Sequence, residues 1–164
     1  MQTIKKTAIA LALLSLIAIL GYILSKPQPT PNAVFTTIKG EEISMSSLKG
    51  KVVLINFWAT NCASCVAEMP ALIETYHQYQ NKGLEIIAVA MPYDPPAQVV
   101  NFAEQKNLPF PVMHDGFGDI TRQFGGVSVT PTAYLYNKEG QRIQKAVGTL
   151  NFDKLHVLLD QELS

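Results

Sequence analysis

Apolar residues fall into two long blocks near the middle of the chain. Val52 to Trp58 and Leu84 to Ala90 are nearly continuous apolar runs, which is typical of strands covered on both faces. Between them, a helix is predicted from about Cys62 to Tyr79, with Pro70 expected to kink it and Gly83 to follow its end. This order of strand, helix and strand indicates an α/β domain with a central sheet.

Shorter segments complete the pattern. In chain order, the predicted elements are a β-hairpin within Ala33 to Met45 around Lys39-Gly40, a turn at Ser46 to Gly50, a helix from Pro95-Pro96 to about Asn107, a strand at Phe110 to Met113, a helical turn at Asp119 to Phe124, an antiparallel pair at Thr132 to Tyr136 and Ile143 to Ala146, and a helix from its cap Asn151 to Leu159. A βαβ half is therefore followed by a ββα half, which predicts a mixed central sheet flanked by helices.

The N-terminal segment, Met1 to Ser25, is predicted to be a transmembrane anchor. Its apolar run from Ala8 to Leu24 spans about 26 Å at about 1.5 Å per residue, slightly less than a hydrocarbon core of about 30 Å. Snorkelling by Lys5 and Lys6 can make up the difference. The run exceeds the usual signal-peptide core, but a cleaved signal remains the alternative.

The basic residues favour one orientation of this anchor. Lys5 and Lys6 precede the apolar run and Lys26 follows it, which weakly favours a cytoplasmic N-terminus. We therefore expect a single-pass protein of the inner (cytoplasmic) membrane with its catalytic domain in the periplasm or extracytoplasmic space. Residues 26–32 form a proline-rich linker, and residues 33–164 form the folded domain.

Charge and cysteine content narrow the function. Lys and Arg number 13 and Asp and Glu number 13, so the net charge is zero and no nucleic-acid partner is expected. The only two cysteines form the motif Cys62-x-x-Cys65 at the predicted strand-to-helix turn. A helix N-terminus favours a thiolate there. A structural disulfide would gain little from so short a loop, and a zinc site needs four ligands, so redox chemistry is favoured.

The segment Asn56-Phe57-Trp58-Ala59-Thr60-Asn61-Cys62-x-x-Cys65 resembles the active-site segment of thioredoxin-fold proteins. With Glu68-x-Pro70, Thr130-Pro131 and the predicted hairpin, it resembles the membrane-anchored TlpA/ResA type of thiol-disulfide oxidoreductase. This resemblance implies a thioredoxin-like fold with an N-terminal hairpin extension. Cys62, nearer the turn, is expected to be the exposed nucleophile, and Cys65 to resolve the mixed disulfide.

Four other residues have expected roles: the resemblance implies those of Pro131 and Thr130, and it supports the role that helical spacing indicates for Glu68. Pro131 matches a cis-proline beside the Cys-x-x-Cys motif, and Thr130 matches the residue whose backbone pairs with bound peptide, although a simple turn would also explain the pair. Trp58 is expected to form a wall beside the disulfide and to contribute to substrate binding. Glu68 is expected to be a catalytic proton carrier, or alternatively a surface residue stabilising the helix. Asn56, which cannot titrate, replaces thioredoxin's buried aspartate, so Glu68 is the nearby candidate for that role.

The predicted activity is reduction of disulfides in extracytoplasmic proteins by the Cys62/Cys65 dithiol. The family implies electrons from a membrane thiol donor and substrates such as apocytochrome c or copper-site cysteines. Asn61, Ala63 and Ser64 depart from thioredoxin's residues at these positions and leave the reduction potential open. A disulfide-donating oxidant of the same fold is therefore the first alternative.

Two further classes fit less well. A thiol peroxidase of this fold would carry Thr-x-x-x-Cys and a nearby arginine, but Trp58 stands four before Cys62, and the nearest arginine is Arg122. A copper chaperone of the Sco kind would carry Cys-x-x-x-Cys with a distant histidine, for which His114 or His156 could serve. We expect no metal and no cofactor.

Overall fold

The structure is a computed structural model that describes residues 15–21 and 30–164. Residues 15–21 are helical. The rest of the predicted anchor, Met1 to Ser25, and the linker as far as residue 29 lie outside the described residues. Within the two described ranges, the chain has no helix that is both long enough and apolar enough to cross a membrane.

The core of the domain is a five-stranded mixed sheet. Its strands, with the two strands of a separate hairpin, are β1 (Val34–Thr36), β2 (Glu42–Ser44), β3 (Val52–Trp58), β4 (Leu84–Ala90), β5 (Val112–His114), β6 (Thr132–Tyr136) and β7 (Arg142–Val147). The strand order in the sheet is β5-β4-β3-β6-β7, with β3, β4 and β5 parallel and β6 and β7 antiparallel to their neighbours. The predicted mixed sheet is confirmed.

Within residues 30–164, the predicted α-helices are α1 (Ala63–Tyr79), α2 (Pro96–Gln105), α3 (Asp119–Gln123) and α4 (Phe152–Leu163). The connections from β3 through α1 to β4, and from β4 through α2 to β5, move across the sheet in the same direction. Because such crossover connections are right-handed, α1 and α2 lie on the same face of the sheet. Their buried residues share a hydrophobic cluster with α4, while α3 and the hairpin cover the other face.

Strand β3 is the central strand that carries the active-site turn. All seven of its residues are buried. Leu54 and Trp58 belong to the cluster under α1, whereas Ile55 and Phe57 belong to the cluster on the opposite face. The continuous apolar run is explained by this two-sided burial.

The N-terminal hairpin is confirmed, and it covers one edge of the sheet. Strands β1 and β2 pair antiparallel, and Phe35 is completely buried in the cluster on the α3 face. The Ile38 N–H donates to the Val112 carbonyl over 2.8 Å, and Thr37 bridges to Met113. The hairpin therefore protects the edge strand β5, which would otherwise expose unpaired backbone groups.

Several element boundaries differ from the sequence prediction, by one or two residues in β5, β7, α2 and α3 and also in the following three elements. The turn predicted at Ser46 to Gly50 is mostly a 3₁₀ helix, Met45–Leu48, because the Ser44 side chain caps it through the Ser47 N–H. Helix α1 starts at Ala63 and continues through Pro70. Helix α4 extends beyond Leu159 to Leu163, whose side chain packs against the same core cluster.

Candidate active site

The two cysteines lie at the start of α1, immediately after the turn that follows β3. Cys62 is the N-cap residue, and its sulfur accepts a hydrogen bond from the Cys65 N–H over 3.2 Å. The Ser64 hydroxyl lies 3.5 Å from the same sulfur. The cysteines are joined by a disulfide with a Cα–Cα distance of 5.2 Å. In this place Cys62 lies at the N-terminus of α1, where helix N–H groups and the positive end of the helix dipole favour a thiolate over a thiol.

The two sulfurs differ in access. Cys65 is completely buried in the cluster under α1, whereas Cys62 is half-buried and packs on the edge of that cluster. A partner disulfide can therefore approach Cys62 but not Cys65. This asymmetry agrees with the roles predicted from the sequence, in which Cys62 attacks and Cys65 resolves.

The Thr130-Pro131 segment lies at the start of β6, the strand next to β3. The peptide bond between Thr130 and Pro131 is cis, as the resemblance implied. The Pro131 carbonyl accepts from the Gly148 N–H over 2.8 Å, which fastens the segment to the end of β7. Because β3 and β6 are antiparallel, the start of β6 and the end of β3 lie at the same end of the sheet, where the parallel strands have their carboxyl ends. Thr130-Pro131 therefore lies at the end of the sheet that carries Cys62.

Glu68 is buried one helical turn after Cys65. Only 4% of the residue is exposed, and Oε2 accepts a hydrogen bond from the Leu150 N–H over 3.2 Å. The other oxygen, Oε1, has no partner among the described residues. Desolvation by burial raises the pKa of Glu68, and the weaker opposing effect is the Leu150 hydrogen bond. The carboxyl group is thus suited to hold a proton below the disulfide; the surface alternative is wrong.

Trp58 and Asn56 lie on the same face of β3, under α1. Trp58 is completely buried, and its ring lies 5.0 Å from the Phe102 ring between centroids. It belongs to the same cluster as Cys65 and forms a wall behind the disulfide, but it exposes no surface, so the expected direct contact of Trp58 with substrate is wrong. Asn56 is also completely buried, and within the described part of the chain neither its side-chain oxygen nor its nitrogen has a hydrogen-bond partner.

A buried carboxylate that the sequence did not identify holds the active-site turn. Asp94, 1% exposed, lies in the loop after β4. Its Oδ2 accepts from the Thr60 N–H over 2.6 Å, and its Oδ1 accepts from the Thr60 hydroxyl over 2.5 Å. The signal available beforehand was the position of this loop at the carboxyl end of a parallel strand, where functional residues of α/β sheets collect.

The three histidines of the chain lie on three different elements. His156 lies on α4, where its Nε2 is 2.9 Å from the Thr75 hydroxyl and its ring packs against Tyr79. His77 lies near the end of α1, with Nδ1 3.4 Å from the Gln80 side chain. His114 is the last residue of β5, two strands from β3. The pairing of His156 with Thr75 gives it a structural role on the helical face.

Together these groups can carry out thiol-disulfide exchange. Cys62 supplies an accessible sulfur at a helix N-terminus, Cys65 supplies a second sulfur within bonding distance, and Glu68 supplies a buried proton site. The cis segment at Thr130-Pro131 lies beside them on the same edge.

Comparisons with known proteins agree with this geometry. The AhpC/TSA family model matches residues 27–145. The thiol-disulfide oxidoreductase ResA of Bacillus thuringiensis subsp. konkukian is 39% identical over 129 residues, which cover 79% of this chain and 73% of that protein. ResA of Bacillus subtilis is 34% identical over 155 residues, covering 88% of this chain and 86% of its own. A crystal structure of a thioredoxin-family thiol:disulfide interchange protein from Chlorobium tepidum TLS has a TM-score of 0.77 and 25% identity, covering 85% of this chain and 99% of that one.

Proposed function

The chain belongs to the AhpC/TSA family and, within it, to the ResA thiol-disulfide oxidoreductases, and on that premise we propose that it reduces disulfides of extracytoplasmic proteins. The observation that carries the proposal is the unequal exposure of Cys62 and Cys65 at the N-terminus of α1. An accessible nucleophile with a buried resolving thiol is the arrangement that thiol-disulfide exchange needs.

The reaction proceeds in two exchange steps. The Cys62 thiolate attacks one sulfur of the substrate disulfide, forms a mixed disulfide and displaces the first substrate thiolate, which takes up a proton. Cys65 loses its proton and attacks the Cys62 sulfur, which releases the second substrate thiolate and closes the Cys62–Cys65 disulfide. The enzyme is oxidised by two electrons, and the substrate gains two electrons and two protons.

We assign to Glu68 the role of proton carrier in the second step. Cys65 must be deprotonated to attack, and its sulfur is buried away from solvent. Glu68 follows one helical turn later on the same helix, is itself buried and has its pKa raised by desolvation. A carboxyl group whose pKa lies closer to neutral than usual can accept the Cys65 proton and later release it.

The source of electrons for this protein is linked to the cellular location that we propose for it. After each turnover the Cys62–Cys65 disulfide must be reduced again by a dithiol. The apolar run from Ala8 to Leu24 would anchor the chain in the inner membrane with residues 33–164 on the outer side. A membrane thiol donor would then reduce the protein, and cysteines awaiting haem or copper, as in cytochrome c maturation, would be its substrates.

Catalysed reduction of a protein disulfide tests the proposal. The purified full chain, kept reduced by dithiothreitol, should accelerate insulin disulfide reduction, and Cys62→Ser should abolish the acceleration because the nucleophile is lost. Cys65→Ser should instead accumulate a mixed disulfide with insulin through Cys62. Insulin reduction no faster than with dithiothreitol alone would contradict the proposal. A mixed disulfide with insulin that accumulates in Cys62→Ser and not in Cys65→Ser would contradict it as well.

A further inference from the structure

Buried polar atoms without a hydrogen-bond partner are concentrated under α1, around Cys65. Among the residues that the structure describes, six buried side-chain atoms lack a partner, and four of the six belong to Asn56, Trp58 and Glu68. Asn56 lies between Leu54 and Trp58 on the face of β3 that α1 covers. Both neighbours belong to the hydrophobic cluster that contains Cys65. Buried polar groups are nearly always paired in folded proteins, so unpaired ones beside a reactive sulfur indicate a role in its chemistry.

The strands on either side of β3 leave space above the Asn56 amide. The register partners of Asn56 are Ala88 on β4 and Ala133 on β6, and all three residues are buried. A methyl group on each side fills little of the layer between the sheet and α1. A long side chain from α1 can therefore reach down to the Asn56 amide.

Glu68 supplies such a side chain. Helix α1 runs antiparallel to β3, because it connects β3 to the parallel strand β4. Glu68 lies about 4.5 Å along the helix from Cys65, and Asn56 lies about 7 Å along the strand from Trp58. Since these two starting points pack in one cluster, the carboxyl group and the amide lie at a similar depth below the active-site end of the sheet.

Cys65 and Glu68 are the titratable side chains next to Asn56. The other titratable groups of the surrounding elements are engaged elsewhere or exposed: Tyr76 contacts Glu85, Tyr79 contacts Asp160, His156 contacts Thr75, Asp94 binds Thr60, and Glu74 and His77 on α1 and Asp153 and Lys154 on α4 are exposed. The contacts made by α1 in this list begin at Thr75, about 10 Å along the helix beyond Glu68. The charge that Asn56 meets is therefore that of the Cys65 and Glu68 pair.

We propose that Asn56 is a positioning residue for the transfer of the Cys65 proton to Glu68. The inference rests on the function proposed above and adds a residue to its second step. After the transfer, the Asn56 amide N–H donates to the Cys65 thiolate, and the amide oxygen accepts from the protonated Oε1 of Glu68. An amide side chain offers both a donor and an acceptor without a charge of its own, so Asn56 stabilises this one arrangement of proton and charge.

This role explains why the Asn56 amide is unpaired in the structure. The Cys62–Cys65 disulfide is formed, so Cys65 has neither a proton to transfer nor a charge to stabilise. Oε2 of Glu68 already accepts from the Leu150 N–H, which leaves Oε1 as the oxygen that takes up the proton. The partners of Asn56 therefore arise only in the reduced protein, when Cys65 attacks.

Stopped-flow release of nitrothiobenzoate measures the two exchange steps in one trace. Cys62 of the reduced full chain attacks dithiobis(nitrobenzoate) and releases one nitrothiobenzoate, which leaves the other joined to Cys62 as a mixed disulfide. Cys65 then attacks the Cys62 sulfur, releases the second nitrothiobenzoate and closes the protein disulfide, so the reagent gains the two electrons that the dithiol loses. The rate of the second release against pH reports the deprotonation of Cys65, and the first release reports Cys62 alone.

In Asn56→Leu, we expect the pH profile of the second release to move to higher pH, because a hydrogen bond to a buried charge is lost. At a pH on the rising part of the profile, the second release should be about tenfold slower than in the parent chain. The first release should stay within about twofold of the parent rate, since Cys62 does not contact the amide. Asn56→Ala, which removes the amide without adding bulk, should move the profile in the same direction.

Thr75→Val is the matched control. Thr75 is also completely buried under α1, and its hydroxyl donates to the Ala71 carbonyl over 2.8 Å. Its removal deletes a buried polar group of the same layer without touching the Cys65 and Glu68 pair. The pH profile of Thr75→Val should therefore coincide with that of the parent chain.

A second release with the parent's pH profile in both Asn56 variants would overturn the inference and leave the oxidoreductase function intact. Equal slowing of both releases, or the same displacement of the profile in Thr75→Val, would also overturn it, because a general change of structure would then explain the result. No second release from the parent chain at any pH would overturn the proposed function and, with it, this inference.

Discussion

Asp94→Ala removes the carboxylate that fastens the loop after β4 to the turn before Cys62. Two hydrogen bonds from Thr60 end on Asp94, at 2.6 Å and 2.5 Å. Hydrogen bonds to a charged group contribute about 1.5–3 kcal/mol each. Thr60 is only half-buried, so water can replace part of the loss, and the lower end of the range applies to each bond. We expect Asp94→Ala to lower the free energy of unfolding by about 3 kcal/mol.

Urea unfolding of the oxidised full chain measures this change. With an m-value of about 2 kcal/mol/M, the midpoint should fall by about 1.5 M. Asp94→Asn keeps one oxygen acceptor but no charge and should lose about half as much. Asp153→Ala, at an exposed position on α4, is the matched control and should change stability by no more than about 0.5 kcal/mol. A loss below about 1 kcal/mol in Asp94→Ala would refute the view that this carboxylate holds the turn.

Three further substitutions test the buried polar groups. Because the folded-state pKa of Glu68 is raised, its contribution to stability is full below the unfolded value near 4.5 and is lost as the pH rises through the folded pKa. Glu68→Gln should remove that loss, so the urea midpoint of the variant should depend less on pH than that of the parent chain. The same pH dependence in both proteins would contradict this prediction. Asn56→Leu replaces unpaired polar atoms by apolar ones and should raise stability by about 1 kcal/mol; a large destabilisation would show that these atoms are satisfied. Tyr134→Phe removes the hydroxyl that donates to the Phe124 carbonyl over 2.8 Å and should cost about 1–2 kcal/mol in the same assay, with no loss if water replaces it.

The redox motif could be predicted from the sequence because its parts are local. Cys62 and Cys65 are three positions apart at a strand-to-helix turn, so the spacing alone places both sulfurs at the start of one helix. The cis bond before Pro131 was implied by resemblance and not by any local signal, since a proline in a simple turn would read the same.

Contacts between distant segments could not be predicted in this way. Thr60 and Asp94 are separated by 34 positions, and Glu68 and Leu150 by 82. Each pairing depends on which loops meet at the edge of the sheet, and therefore on strand order. For the same reason, the sequence did not identify Asp94, whose carboxylate positions the turn before Cys62.

Some element boundaries differ from the predicted ones because capping and tertiary packing, as well as the hydrophobic pattern, decide where an element ends. The apolar residues Leu155, Leu158 and Leu159 form one face and predict a helix that ends at Leu159, but Leu163 also packs on the core and the helix extends to it. The two-sided burial of β3, by contrast, is predicted directly by its apolar run, which only Asn56 interrupts.

The measurement that tests the central claim most directly is the reduction potential of the Cys62–Cys65 couple in the full chain, equilibrated in dithiothreitol or glutathione buffers. A protein that delivers electrons to substrate disulfides should have a potential near that of thioredoxin, about −270 mV. A value near −120 mV, typical of a strong oxidant, would contradict the account and make the protein a disulfide donor.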